Sequence, residues 1–177
     1  MYRNIALVAA LASLATLNGP PAKAQADLAI FALARAGTLT ITAPGPTALG
    51  SASLNGQITK RLGTVEVVDS RGSGAGAWTA TVSSSDFTRT TAPVVTISRS
   101  HMSYWSGPVT VSQGGGLLVP GQPTAGDAQN LSVPRTAFSR SKPTGSNNCS
   151  WAPTLILSIP ATATAGNYSG TITHSVA

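Results

Sequence analysis

The chain has 177 residues, of which 42% are hydrophobic and only 9% charged. That is about one domain, with enough apolar material for a core and far less charge than the ~25% usual in soluble domains. Disorder is excluded, because disordered chains are poor in apolar residues and rich in charge. A nucleic-acid surface is excluded too: the net charge of +6 comes from basic residues scattered singly, apart from Lys60-Arg61 and the Arg135, Arg140, Lys142 group, without interleaved aromatics.

The first segment reads as a secretory signal over residues 1–26. Arg3 supplies the positive start, and Ile5 to Leu17 is an uncharged, mostly apolar run too short to span a bilayer as a helix. Pro20 and Pro21 break a helix there. Ala22-Lys23-Ala24 and Ala24-Gln25-Ala26 each offer a small-x-small cleavage pattern. Export is therefore expected, with a mature chain beginning at Gln25 or Asp27 and a single domain over 27–177. No integral membrane segment is expected after signal removal. Without Arg3 and Lys23, nine basic residues remain against five acidic ones. This mild positive balance suits contact with anionic wall polymers.

The mature chain carries a period of two, the signature of strands with one buried face. Leu28 to Leu33 predicts a first strand. Thr38 to Thr42 alternates, with Leu39 and Ile41 facing inward, and Pro44-Gly45-Pro46 stops it. Val65 to Val68 is the next strand, followed by the turn cluster Asp69 to Gly76. Trp78 to Ser83 alternates again with Trp78, Ala80 and Val82 on one face, and the two strands read together as a hairpin. The glycines at 72, 74 and 76 lead into a strand and not a helix, so they form a loop and not a phosphate cradle. Val94 to Ser98 predicts a strand that His101 to Trp105 prolongs after a bend, and Pro108 to Val111 a short one. Residues 113–130, with Gly114-Gly115-Gly116, read as a long loop. Leu131 to Val133 predicts an edge strand and 139–149 a polar, turn-rich stretch. Trp151 to Ile159 is a strong strand ended by Pro160, and Tyr168 to Val176 is the last. Short strands separated by turn signals, without a helical stripe, give an all-β class: a single antiparallel β-sandwich with a Thr/Ser face left wet.

Catalytic groups are sparse. Two histidines, His101 and His174, and one cysteine, Cys149, do not supply the three or four ligands of a zinc site. One cysteine excludes an intramolecular disulfide. Asp69, at the entry to a turn, reads as a satisfied turn residue. No cofactor and no metal are expected. Trp78 and Trp151, on alternating strands, are expected in the core, whereas Tyr104 and Trp105, in a polar context, are candidates for an exposed aromatic contact.

The succession Gly37-Thr38-Leu39-Thr40-Ile41, Leu62 to Gly72, Gly76 to Ser83 and Asp86-Phe87-Thr88, with the ending Leu157 to Pro160 and Ala165 to Thr173, resembles the WxL-type cell-surface domain. The likeness is to the divergent versions in exported proteins of Gram-positive bacteria, particularly actinobacteria, and it covers residues 37–177. That family is named for two Trp-x-Leu motifs implicated in non-covalent attachment to peptidoglycan. The first matches Trp78-Thr79-Ala80, with Ala for Leu. The second falls on His174-Ser175-Val176, with His for Trp. The resemblance implies a secreted, cell-surface or cell-wall-associated binding module and not an enzyme. Trp78, Thr79, Ala80, His174, Ser175 and Val176 would be its contact residues, and a wall polymer or a surface protein its partner. The alternative, from a final strand that alternates up to Val176, is a structural subunit of a pilus- or coat-like assembly built by strand addition. A small secreted hydrolase is a third option. Alternation of the last strand puts Ile172, His174 and Val176 on one face, with His174 at the core edge.

Overall fold

A computed structural model of the chain describes residues 37–72 and 76–177. The signal segment and the strand expected over Leu28 to Leu33 lie outside the described residues. The described chain is all-β. In chain order its strands are β1 (Leu39–Thr42), β2 (Gln57–Arg61), β3 (Val65–Asp69), β4 (Trp78–Ser84), β5 (Phe87–Arg89), β6 (Thr96–Ile97), β7 (Met102–Trp105) and β8 (Val109–Gln113). They continue as β9 (Leu117–Pro120), β10 (Gln129–Asn130), β11 (Arg135–Ser141), β12 (Asn147–Trp151), β13 (Thr154–Ser158), β14 (Tyr168–Ser169) and β15 (Ile172–Val176). Two single 3-10 turns, Arg99–His101 and Ala125–Asp127, are the only helical pieces among the described residues. No helix there is long and apolar enough to cross a membrane.

The strands form four small antiparallel sheets, in the orders β1-β3-β12-β8, β10-β7-β13-β2, β15-β4-β11-β9 and β14-β5-β6. Their inward faces meet in one core, which gives a sandwich-like layering. Val65, Val67, Cys149 and Trp151 come from the first sheet, Met102, Tyr104, Leu155 and Leu157 from the second, and Trp78, Ala80, Val82 and Phe138 from the third. Ring packing and buried hydrogen bonds tie the sheets across this core. Phe138 and Trp151 stack with centroids 4.7 Å apart, and the Trp78 indole N–H donates to Asn147 Oδ1 at 3.0 Å.

Alternation located β1, β3 and β4 with their inward residues. It did not give their partners. The expected hairpin between Val65–Val68 and Trp78–Ser83 is absent: β3 has both edges occupied by β1 and β12, while β4 lies in another sheet between β15 and β11. The chain leaves β3 through a corner that Asp69 and Arg71 hold together. Asp69 Oδ1 accepts from Arg71 N–H and Nε at 3.0 and 2.9 Å, and Arg71 Nη2 reaches Asp69 Oδ2 at 3.0 Å and the Gly76 carbonyl at 2.9 Å. Asn147 Nδ2 donates to the same carboxylate at 3.1 Å. Asp69 is thus a buried, fully engaged structural carboxylate, and its hydrogen bonds from Arg71 hold it below the ordinary carboxylate range.

The strand expected over Trp151 to Ile159 divides at Ala152-Pro153: β12 ends at Trp151 and β13 begins at Thr154 in another sheet. Proline lacks the N–H that a continuous ladder would use. The expected edge strand at Leu131 to Val133 is a turn beside the short β10. Residues 113–130 contain β9 and β10, and the polar stretch 139–149 contains the end of β11 and most of β12. The glycines do serve a turn: Gly114 and Gly116 have φ of 85° and 104°, and a Cβ on Gly116 would lie 2.6 Å from the Ser141 carbonyl oxygen.

Candidate binding surface and buried aromatic network

The segments Trp78-Thr79-Ala80 and His174-Ser175-Val176, nearly a hundred residues apart, are neighbours in space. β4 and β15 pair antiparallel with His174 opposite Val82, Ser175 opposite Thr81 and Val176 opposite Ala80. Thr79 and Ala177 exchange both backbone hydrogen bonds, at 2.8 and 3.1 Å. The pleat then divides their side chains. Trp78 and Ala80 are buried. Thr79 and Ser175 are exposed, and the Ser175 hydroxyl lies 2.8 Å from that of Thr81. Trp78 is therefore core, as its strand position suggests, and its ring is not available as a contact group. Val176 is half-buried against the core.

His174 is half-buried at the rim of the core. Its Nε2 lies 3.1 Å from the Tyr104 hydroxyl, which accepts the Trp151 indole N–H at 3.1 Å. The indole occupies an acceptor site of the phenol, so the phenolic hydrogen is free to point at Nε2. Nε2 is then the acceptor, and the neutral ring carries its hydrogen on Nδ1. Burial moves both titrations away from neutrality: the His174 pKa falls to about 4, and that of Tyr104 rises above its ordinary value. Neither group exchanges a proton readily near pH 7. On its outer side His174 lines a cleft of about 300 Å³ with Leu49, Leu62, Phe87, Leu155 and Ile172.

Tyr104 and Trp105 are the sequence's candidates for an exposed aromatic contact. For Tyr104 the structure corrects this: it is 0% exposed. Successive residues of a strand face opposite ways, so Met102 and Tyr104 enter the core while Ser103 and Trp105 turn outward, and Trp105 is half-buried. The alternation within Met102 to Trp105 was the signal that could have separated the two. No sequence spacing announced that Trp151 and Tyr104 would meet His174.

Two further carboxylates are engaged in the fold. Asp86 accepts the Arg99 backbone N–H at 2.8 Å, and Asp127 accepts the Thr124 hydroxyl at 2.6 Å. Burial pushes the Cys149 thiol up to about 11, against a smaller opposing pull from Arg140, which makes it unreactive. Among the described residues no three His, Cys, Asp or Glu side chains gather as a metal site would require. No known family model matches the chain, and no curated protein matches it significantly.

Proposed function

We propose that this chain is an exported, non-catalytic, surface-associated binding module of the WxL type, held non-covalently to a cell-wall polymer. The observation that carries this reading is the pairing of Trp78-Thr79-Ala80 with His174-Ser175-Val176 on adjacent strands. These are the two segments that resemble the family's motifs, and they lie side by side. Their inward residues build the core, so the contact itself falls to outward groups: Thr79 and Ser175 on this sheet and Trp105 on the second. The engagement of Asp69, Asp86, Asp127 and His174 in structural hydrogen bonds supports a binding role over an acid–base one. The test is co-sedimentation of the full chain with purified peptidoglycan sacculi. Recovery in the pellet is expected, and recovery in the supernatant contradicts the reading.

The alternative, a subunit that assembles by strand addition, draws support from β8. This edge strand is exposed along its whole length, with Val109 and Val111 42% and 50% exposed, and such an edge offers unpaired backbone groups to another chain. A ladder of oligomers in gel filtration favours assembly, and a monomer favours the binding module.

A further inference from the structure

The outward face of the sheet β10-β7-β13-β2 brings one aromatic ring and one cation into a single row. Thr154, itself buried, stands opposite Trp105 on one side and Arg61 on the other, and so spaces the two. Beside this row, Ile156 stands between Ser103 and Thr59. Trp105 is half-buried and the one tryptophan that is not fully buried, since Trp78 and Trp151 are 1% and 0% exposed. Arg61 is exposed, and the one ion pair among the described residues is Arg71–Asp69, so Arg61 has no carboxylate there. Adjacent strands lie about 4.8 Å apart, which sets ring and cation roughly 10 Å apart across the sheet.

We propose that Trp105 and Arg61, at the two ends of this row, bind an acidic polysaccharide, with the indole stacked on the apolar face of a sugar ring and the guanidinium paired with a carboxylate further along the chain. The proposal rests on the wall-polymer reading above and names the face and the ligand class. A flat, half-buried aromatic gives contact area with little side-chain entropy to lose. A guanidinium recognises a carboxylate through two parallel N–H donors. The flanking Ser103, half-buried, and Thr59, exposed, supply hydroxyls of the kind that sugar hydroxyls exchange hydrogen bonds with. The charge complementarity selects an acidic over a neutral glycan.

Acrylamide quenching of tryptophan emission reads Trp105 selectively, because the other two indoles are buried. The probes are a hexamer of galacturonic acid and a hexamer of N-acetylglucosamine, titrated into the full chain. The acidic hexamer is expected to shield Trp105 and to bind at least about tenfold more tightly than the neutral one, one charge-assisted contact being worth that factor. By calorimetry, Trp105→Ala should abolish binding and Arg61→Ala should weaken the acidic hexamer by about tenfold. Arg61, an exposed residue, also serves if Trp105→Ala fails to fold. Quenching unchanged by either hexamer, tighter binding of the neutral one, or wild-type affinity in both variants overturns the proposal. If the wild type pellets with sacculi and Trp105→Ala pellets equally, this face is wrong and the wall reading stands. If the acidic hexamer shields Trp105 but sacculi retain nothing, the face stands and the wall reading falls.

Discussion

Trp78 is the residue on which the resemblance and the packing make different demands. A contact residue would tolerate truncation without loss of stability. A ring that is 1% exposed and hydrogen-bonded to Asn147 will not. Trp78→Ala should lower the unfolding free energy by about 3–5 kcal/mol, as for other buried large aromatics, measurable as a lower urea midpoint. His174 makes a pH-dependent contribution of definite sign. Its pKa is about 4 in the folded chain and 6.5 in the unfolded one, so between these values the unfolded state binds more protons. Stability is then fully present above pH 6.5 and falls as the pH drops towards 4. The loss is at most about 3 kcal/mol, and less because the half-buried ring is partly screened by solvent. His174→Gln keeps an acceptor for Tyr104 without the titration. Its melting temperature should be flatter than that of wild type between pH 7 and 4.5, a range kept above the acid titration of Asp69. Burial of His174 at the core edge was legible from the alternation of Ile172, His174 and Val176. Its partner Tyr104, 70 residues away, was not, because no local pattern encodes a meeting across the core.

At the scale of elements, strands with one apolar face were readable and polar or irregular ones were not. β1, β3 and β4 declare themselves through Leu39 and Ile41, Val65 and Val67, and Trp78, Ala80 and Val82. β11 conceals itself, because its register shifts between Thr136 and Phe138 and a bulge breaks the period of two. β12 places Asn147 and Cys149 inward, and Asn and Ser in its sequence imitate a turn. Arg140 is the strongest departure from a sequence rule: a strand arginine should be exposed, yet it is 1% exposed. It makes up for lost hydration with carbonyl and hydroxyl acceptors. Nη1 donates to Gln113 and Gly115 carbonyls at 2.9 and 3.2 Å, and Nη2 to Ser112 Oγ at 2.6 Å and the Asn148 carbonyl at 3.0 Å. It thereby joins β11 to β8, β12 and the glycine turn. Arg140→Met removes the donor from four part-exposed acceptors and should cost about 1–3 kcal/mol in chemical unfolding. Retention of wild-type stability would mean that the clamp contributes little.

For the molecule as a whole, composition and periodicity were enough for the all-β class, whereas the division into four sheets was not. Sheet membership depends on which strand edges remain free, as the unpaired neighbours β3 and β4 illustrate, and on corners such as Pro153 that redirect the chain. The proposed export rests on the sequence of residues 1–26, and a chain recovered from culture medium should then begin at Gln25 or Asp27 by mass spectrometry. Retention of Met1 there would contradict secretion through a cleaved signal. The proposal that outward groups bind the wall polymer, with His174 neutral at the core rim, has one direct consequence. The full chain, mixed with purified peptidoglycan sacculi and pelleted at pH 5 and at pH 8, should be retained to the same extent at both. Protein left in the supernatant at both, or retention that rises at pH 5 and disappears in His174→Gln, would contradict it.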